Sequence, residues 1–387
     1  MRADGTGRPL PYGRLSAWYF CYFGFIGVFS PYFALYLQSL KFSAWDIALL
    51  LSLMQVMRLV SPNLVGWLAE RVGGTAVLVR AAAGMSVVAF AGFFFTTSFA
   101  GLFVCMALLA FFLSASLPLG EALTLGHLRQ RTGQYGSIRL WGSIGFIGAV
   151  LAVGRLLDLL PLRSLLWVAI AFLGGVLCCA LVLPEAPREK TVLPHPGLGA
   201  ALRRPEVATL FAACFLMSAA HGPLYVFYSI HLVEHGYDKT MVGALWSLGV
   251  LAEIVVFLFM PALLRRHSLR AILMASLACA VCRFLMIGWG AASLVLLLLA
   301  QLLHGATFGA CHAAAMAALH RWFPGIRQAR AQAIYGSVSF GAGGMIGGLA
   351  GGQVWEAFGP GWSFTLGALF ALAGLGLVWR CWPRQAV

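Results

Sequence analysis

Residues 135–146 read YGSIRLWGSIGF and residues 335–345 read YGSVSFGAGGM, so the same three letters begin two stretches that lie 200 residues apart. Each stretch opens a long apolar segment. Arg139 stands at the fifth position of the first copy, where the second copy has Ser339. The repeat predicts two copies of one folding unit, and the difference indicates that helix packing alone does not require Arg139.

Two further pairs repeat in the same order along the chain. PYFALY at residues 31–36 is matched by PLYVFY at residues 223–228. The dipeptide SL that precedes Arg58 is matched by the SL that precedes Glu253. Three matches in the same order and orientation predict that the second half of the chain repeats the first.

The composition predicts an integral membrane protein. Hydrophobic residues make up 61% of the chain, charged residues only 10%, and the mean hydropathy is +0.89, whereas soluble chains are about half apolar. A membrane-spanning helix needs about 20 apolar residues, and the alternating strands of a β-barrel are not seen. Splitting the chain at its polar interruptions predicts twelve helices, at residues 14–38, 44–69, 76–96, 100–127, 135–157, 162–183, 206–233, 240–264, 270–290, 292–319, 329–356 and 361–381.

A proline-rich, charged stretch divides these helices into two sets of six. We predict an amino-terminal six-helix bundle at residues 1–183, a cytoplasmic linker at 184–205 and a carboxy-terminal bundle at 206–387. Both termini are predicted to be cytoplasmic, because most of the 26 Lys and Arg residues then lie in inner loops and tails. The net charge of +14 is therefore a topology signal with attraction to anionic lipids, and no nucleic acid partner is expected.

No metal, cofactor or disulfide is expected. The nine cysteines lie in or beside apolar segments, where a free thiol behaves as a small hydrophobic group. Cys279 and Cys282 form a CxxC pair within a predicted membrane helix, without a second pair of ligands. An enzyme is not expected either, because no nucleophile and base form a recognisable motif.

The loop after the second segment, GWLAERVGGTAVLVR at residues 66–80, is similar to the signature G-x-L-A-D-R-x-G of the major facilitator superfamily. The resemblance implies two parallel six-helix repeats, with the substrate site at the interface of the halves near the membrane midplane. Gly66 would permit close helix approach, and the acid and the two arginines would form a cytoplasmic ion-pair clamp. The predicted clamp residues are Gly66, Glu70, Arg71, Gly73 and Arg80.

Ionisable residues inside membrane segments are costly and usually functional. Glu253, Arg283 and His304 all lie roughly 17 to 21 Å into the membrane, from the helix rise of about 1.5 Å per residue, on the predicted helices 8, 9 and 10. An acid, a base and an imidazole at one depth predict a proton-coupling site, with Arg283 meeting Glu253 during a conformational change. His312 borders the same stripe of its helix as His304 and joins this set.

The acid Glu121 on the fourth segment and Arg139 on the fifth form a second polar pair. Together with the acid, arginine and histidine of segments 8 to 10, this pattern resembles the lactose-permease-like and phenylpropionate-transporter-like branches of the superfamily, in which such residues bind substrate and couple protons. The substrate-binding residues that we predict are Tyr22, Arg58, Glu121, Arg139, Trp141 and Tyr228.

The sequence thus predicts a monomeric, proton-coupled symporter of the inner membrane that imports a small organic substrate, with an aromatic carboxylate such as 3-phenylpropionate preferred. A nucleoside or oligosaccharide symporter is the main alternative. A drug/proton antiporter usually carries a Gly-Pro motif in helix 5, and it is less favoured because the fifth segment has no proline. A non-transporting receptor built on the same scaffold stays an open alternative.

Glycines form two faces on the eleventh segment. Gly344, Gly348 and Gly352 repeat every four residues, as do Gly343, Gly347 and Gly351. Faces of small residues let membrane helices approach closely, so we expect tight helix contacts along this segment.

Overall fold

The computed structural model describes residues 10–72, 74–129, 131–186, 199 and 203–383. Twelve helices of this part of the chain are long and apolar enough to cross a membrane, which confirms the twelve predicted segments. Six precede the linker: α1 (Tyr12–Ser39), α2 (Ala44–Val72), α3 (Thr75–Ala91), α4 (Phe99–Leu128), α5 (Tyr135–Leu159) and α6 (Ser164–Val182). Six follow it: α7 (Pro205–Glu234), α8 (Lys239–Arg266), α9 (Leu269–Gly290), α10 (Leu294–Trp322), α11 (326–358) and α12 (Pro360–Cys381).

Helices α10 and α11 each change to π-helix along part of their length. In α10 the π-helical part is Gly305–Ala310, and in α11 it is Gly336–Gly343. Both stretches contain glycine, and the rest of each helix is α-helical. The hydropathy pattern did not predict these changes, because a π-helix widens the turn without altering which residues are apolar. Such stretches often occur at functional sites.

The contacts divide the described chain into two compact units. The first combines residues up to Tyr36 with Met57 to 186, and the second combines Leu37–Val56 with the residues from 199 onward. The division predicted from the sequence lay at the linker alone, whereas residues 37–56 group with the second unit. The reason is local packing, because the first half of α2 lies against a glycine face of α11.

Helix α1 is the inner helix of the first unit, and 72% of its most apolar window is buried. Its tyrosines donate hydrogen bonds to neighbouring helices: Tyr22 to the carbonyl of Leu113 on α4 at 3.3 Å, and Tyr32 to the carbonyl of Val150 on α5 at 2.7 Å. Helix α3 packs against α4 and α6. These contacts satisfy buried hydroxyl groups where lipid offers no hydrogen-bond partner.

Helix α7 occupies the corresponding place in the second unit, also with 72% of its most apolar window buried. It packs against α11 and α12. Gly222 of α7 and Gly347 of α11 face one another so closely that a Cβ on either would overlap backbone atoms of the other helix. The expectation of tight helix contacts along α11 is therefore confirmed for the face of Gly343, Gly347 and Gly351.

The other glycine face of α11 receives the first half of α2. A Cβ added at Gly348 would lie 3.0 Å from the hydroxyl oxygen of Ser52, and one at Gly344 would lie 3.2 Å from the Gln55 amide carbon. At the end of this contact the backbone N–H of Trp45 donates to a carboxylate oxygen of Glu356 at 2.9 Å. One helix thus packs against two others through two rows of glycine.

We expect Gly347→Ala to lower the free energy of unfolding by about 1 to 3 kcal/mol, because overpacking a close contact forces the backbones apart. The added Cβ would overlap the carbonyl oxygen of Ala219. Gly376→Ala is the matched control, since no atom lies within 4 Å of a Cβ at that position, and it should be neutral or stabilising by up to about 1 kcal/mol. Thermal unfolding of both variants in lipid nanodiscs measures the difference, and equal midpoints would contradict the close-contact account.

Candidate functional site

The two arginines of the predicted cytoplasmic clamp contact other groups in the structure. The guanidinium of Arg71 lies 3.7 Å from the ring centre of Trp67. Arg80 donates to the carbonyls of Ala180 at 3.2 Å and Leu183 at 2.7 Å, at the end of α6. The Glu70 side chain and Gly73 lie outside the described residues, so the ion-pair clamp stays a prediction.

Gly66 makes no close contact with another helix among the described residues. No atom of another element lies within 4 Å of a Cβ built at Gly66. Close helix approach is therefore not the reason for a glycine at this position in the structure described.

Glu185, which the sequence placed in the linker, has a structural role that sequence analysis missed. Its carboxylate accepts hydrogen bonds from the backbone N–H groups of Thr75 at 2.8 Å and Ala76 at 2.9 Å, at the start of α3. A carboxylate is favourable at a helix amino terminus, where backbone donors are unpaired. Arg80 of α3 bonds the end of α6 in return, so the two helix ends are tied reciprocally. A contact between residues about a hundred positions apart leaves no local sequence signal.

The first unit brings Glu121 of α4 and Arg139 of α5 into one polar cluster without a direct bond. The Tyr135 hydroxyl donates to Glu121 at 3.2 Å. The Arg139 guanidinium lies 3.7 Å from the ring centre of Phe23 and 5.6 Å from that of Tyr19, both on α1. Arg139 and Glu121 interact electrostatically at longer range. A cation held against an aromatic face beside an acid is suited to binding a polar or aromatic substrate.

The other predicted substrate residues of this unit lie in two places. Tyr22 is buried and interacts electrostatically with Arg58, Glu121 and Arg139, so these four residues form one cluster. Trp141 is 41% exposed and stands two residues after Arg139, about 200° around the helix. The structure therefore does not place Trp141 with the Glu121 cluster.

The second unit contains a guanidinium buried among three helices. Arg283 of α9 is 1% exposed. Its Nε donates to the Ala300 carbonyl at 2.9 Å. One terminal nitrogen bonds His221 Nε2 at 3.1 Å and Thr307 Oγ1 at 3.3 Å, and the other donates to Gln301 Oε1 at 3.5 Å. All four acceptors are neutral groups, and none is a carboxylate.

His221 was missed by the sequence analysis, although a histidine in the middle of an apolar helix was the available signal. Its Nδ1 lies 2.8 Å from the Met217 carbonyl, one turn earlier on α7. Because a carbonyl can only accept, Nδ1 carries the proton and Nε2 accepts from Arg283. The ring is therefore held neutral in one tautomer by its two partners.

Glu253 of α8 lies beside His304 of α10. A carboxylate oxygen of Glu253 lies 3.9 Å from His304 Nε2, close enough for an ion pair and too long for a hydrogen bond. The other ring nitrogen, Nδ1, is buried without a hydrogen-bond partner among the described residues. The predicted acid, imidazole and guanidinium are thus brought together in one unit, but in the order Glu253, His304, Arg283.

The rings of His304, Phe308 and His312 form a stack along α10. His304 and Phe308 have centroids 5.5 Å apart with planes at 17°, and Phe308 and His312 have centroids 6.1 Å apart with planes at 10°. The π-helical part of α10 lies between the two histidines, and its wider turn brings side chains four residues apart closer to alignment. His312 Nδ1 also bonds the Tyr335 hydroxyl of α11 at 3.1 Å.

Tyr228 belongs to the second unit, where it is 1% exposed. Its ring meets Trp246 edge to face at 5.8 Å, and Tyr225 stacks on the same tryptophan at 6.2 Å. The Tyr228 hydroxyl interacts with the Gln301 side chain and electrostatically with Arg283, but it makes no hydrogen bond of ordinary distance and angle to a described residue. Aromatic rings therefore border the Arg283 cluster on the α7 and α8 side.

The nine cysteines are free thiols. Within the ranges that the structure describes, no three His, Cys, Asp or Glu side chains are grouped as metal ligands.

Comparison with known proteins gives a consistent result. The sequence matches the MFS_1 like family over residues 12–366. It is 31% identical over 370 residues to a probable 3-phenylpropionic acid transporter of Escherichia coli (strain K12), covering 92% of this chain and 95% of that protein. It is 27% identical over 372 residues to a maltose permease of Geobacillus stearothermophilus, covering 92% and 91%.

The fold is similar to that of a solved transporter. A crystal structure of a mutant of the nucleoside transporter NupG superposes with a TM-score of 0.84 at 20% sequence identity, covering 95% of this chain and 98% of that one. This likeness confirms the predicted all-helical fold of the superfamily. Matched over nearly its whole length, the chain belongs to the MFS_1 like family and is a multi-pass membrane transporter of the major facilitator superfamily.

Proposed function

We propose that this transporter is a symporter that couples the import of a small organic substrate to protons across the plasma membrane, acting as a monomer. The observation that carries the proposal is the pair of Glu253 and His304, which lie 3.9 Å apart inside the second unit. Two proton-binding groups at this depth of a membrane protein are expensive to maintain without a function.

The geometry of the pair suits reversible proton binding. His304 Nε2 and the Glu253 carboxylate face one another beyond hydrogen-bonding distance, and Nδ1 bonds no described residue. A group locked in strong hydrogen bonds would resist a change of protonation, whereas His304 Nδ1 is not held in one among the described residues. Arg283 interacts electrostatically with His304, and we assign it to the coupling machinery for that reason.

His312 extends the proton-coupling set. It stacks on Phe308, which also stacks on His304, and it bonds the Tyr335 hydroxyl. Protonation of one imidazole in such a row changes the electrostatic environment of the next. We assign His312 a supporting role in coupling for this reason.

For the substrate we propose an aromatic carboxylate such as 3-phenylpropionate. The relative of Escherichia coli is described as a probable transporter of that acid. In the first unit, Arg139 against Phe23, together with Tyr22, Arg58 and Glu121, offers cationic and aromatic contacts for such a molecule. Tyr228 offers an aromatic ring in the second unit.

A nucleoside or oligosaccharide symporter is the second candidate. The similarity to the maltose permease and to the nucleoside transporter fold favours it, because Glu121 and Arg139 can also bind hydroxyl groups. Uptake of labelled 3-phenylpropionate, uridine and maltose into proteoliposomes with an imposed pH gradient separates the two candidates.

Glu253→Gln should lower the accumulation of substrate that a pH gradient drives by at least about tenfold, because one proton-binding group of the pair is removed. Exchange of labelled for unlabelled substrate without a gradient should persist, since exchange needs no net proton movement. Proteoliposome uptake and counterflow measure the two activities.

The control is Glu234→Gln at the outer end of α7, where the carboxylate accepts from the Gln38 amide at 3.0 Å. The amide oxygen that replaces it also accepts, so coupling should be unchanged. Full gradient-driven accumulation by Glu253→Gln would remove Glu253 from the mechanism.

Arg139→Ala should raise the KM for substrate several-fold, as expected for the loss of a cation–π or polar contact worth about 1 kcal/mol. The KM of Arg139→Lys should lie between those of Arg139→Ala and the native protein, because lysine retains the charge and lacks the planar guanidinium face. Arg155→Ala, at the other end of α5, serves as the control and should transport normally. An unchanged KM in Arg139→Ala at normal expression would show that Arg139 does not contact substrate.

A further inference from the structure

The guanidinium of Arg283 has donor capacity that the described chain does not use. Arginine has five N–H donors, and the structure supplies four acceptors: Ala300, His221, Thr307 and, at 3.5 Å, Gln301. Both donors of one terminal nitrogen are engaged, whereas the other terminal nitrogen makes a single long bond. Among the described residues, one N–H of Arg283 therefore has no acceptor, and none of the four bonded acceptors is an anion.

Other donors around Arg283 are also unused. The Tyr228 hydroxyl and the Gln301 amide nitrogen belong to side chains that are 1% and 3% exposed, and neither atom has a hydrogen-bond partner among the described residues. The Gln301 amide oxygen already accepts from Arg283, so its NH₂ group is directed elsewhere. His304 Nδ1 is a third buried atom without a hydrogen-bond partner among the described residues. Leaving buried donors unpaired is costly, and a cluster of them around one cation needs an explanation.

We propose that the cluster of Arg283, Tyr228 and Gln301 is an anion subsite that binds the carboxylate group of the transported substrate. The inference rests on the proposed symport of a small organic acid and adds the place where its charge is bound. The open N–H of Arg283, the NH₂ of Gln301 and the Tyr228 hydroxyl are all donors, and a carboxylate is an acceptor only, with two oxygens and about four lone-pair sites.

A carboxylate fits this cluster better than the other ligand chemistries. A hydroxyl group would bring no charge to balance the guanidinium, and a doubly charged phosphate would exceed the single cation. Arg283 suits an anion better than Arg139 does. In the first unit, Arg139 already interacts with the acid Glu121, whereas the hydrogen bonds of Arg283 are all to neutral acceptors. The aromatic rings of Tyr225, Tyr228 and Trp246 beside the cluster suit an apolar or aromatic body attached to the carboxylate.

The subsite also relates substrate binding to protonation. Glu253 faces His304, which lies with its ring centroid 6.0 Å from that of His221, a direct partner of Arg283. When Glu253 carries a proton, Arg283 is the one charged group of this set and attracts an anion. The proton and the monocarboxylate together carry no net charge, which lowers the cost of moving both through the membrane interior.

The first test compares 3-phenylpropionate with its uncharged analogue 3-phenylpropionamide in binding to the purified protein in nanodiscs. We expect the native protein to bind the acid at least about tenfold more tightly, as expected for a hydrogen-bonded charge pair. Tyr228→Phe should reduce the affinity for the acid about tenfold. Because that hydroxyl makes no hydrogen bond of ordinary geometry to a described residue, its removal should change the unfolding temperature little.

Gln301→Glu supplies a second and sharper test. The new carboxylate has the shape of the native amide and would occupy the anion subsite from within the chain, so binding of the acid should fall by at least about a hundredfold. The unfolding temperature should stay the same or rise, because Arg283 gains an anionic partner. Tyr32→Phe is the control, since that hydroxyl already bonds the Val150 carbonyl in the first unit, and it should leave binding of the acid unchanged.

Three results would overturn the inference. They are equal binding of the acid and the amide by the native protein, full affinity for the acid in both Tyr228→Phe and Gln301→Glu, and a transported substrate that proves to be uncharged. The last result would leave proton-coupled symport standing, provided that the uncharged substrate drives proton uptake. Loss of proton coupling with retained preference for the acid would instead refute the proposed symport and keep the anion subsite.

Discussion

The buried guanidinium of Arg283 is the interaction on which the second unit depends. A charge in the membrane interior must be bonded, and its bonds here come from two other helices: the His221 imidazole of α7, and the Ala300 carbonyl, Gln301 amide and Thr307 hydroxyl of α10. Helices α7, α9 and α10 are therefore held in one register by a single side chain. Removing any acceptor leaves a buried donor unpaired, which is why the surrounding polar residues form a connected network.

Close packing through glycine provides the frame for that network. Helix α7 approaches α11 through Gly222 and Gly347, and α2 approaches the neighbouring face of α11 through Gly344 and Gly348. In a membrane, helices gain little from burying apolar surface against one another, so close contact of small residues supplies much of the association. The glycines therefore set the distances between helices, and the polar network sets their register.

The two units show how one repeat supports two chemistries. Helices α1 and α7 are equally buried, and each carries a proline where the sequence repeats, at Pro31 and Pro223. On α1, Tyr22 and Tyr32 donate to backbone carbonyls and are satisfied. On α7, His221 bonds a guanidinium and the Tyr228 hydroxyl is left without a partner. The repeat conserves the packing of the inner helix, while substitutions at its polar positions distinguish the sites.

The sequence by itself determined the helices, their number and the residues that carry charge within them, because hydropathy and the cost of burying charge act locally along the chain. It could not determine which of those residues meet. The sequence did not show that Glu253 and His304 lie 3.9 Å apart in this structure, that Trp141 is 41% exposed while Tyr22 is buried, or what His221 and Glu185 bond. These outcomes depend on helix rotation, on the π-helical turns of α10 and α11 and on contacts between residues far apart in the chain. Only tertiary packing decides them, since a rotation of one helix by a fraction of a turn exchanges one set of neighbours for another without changing its hydropathy.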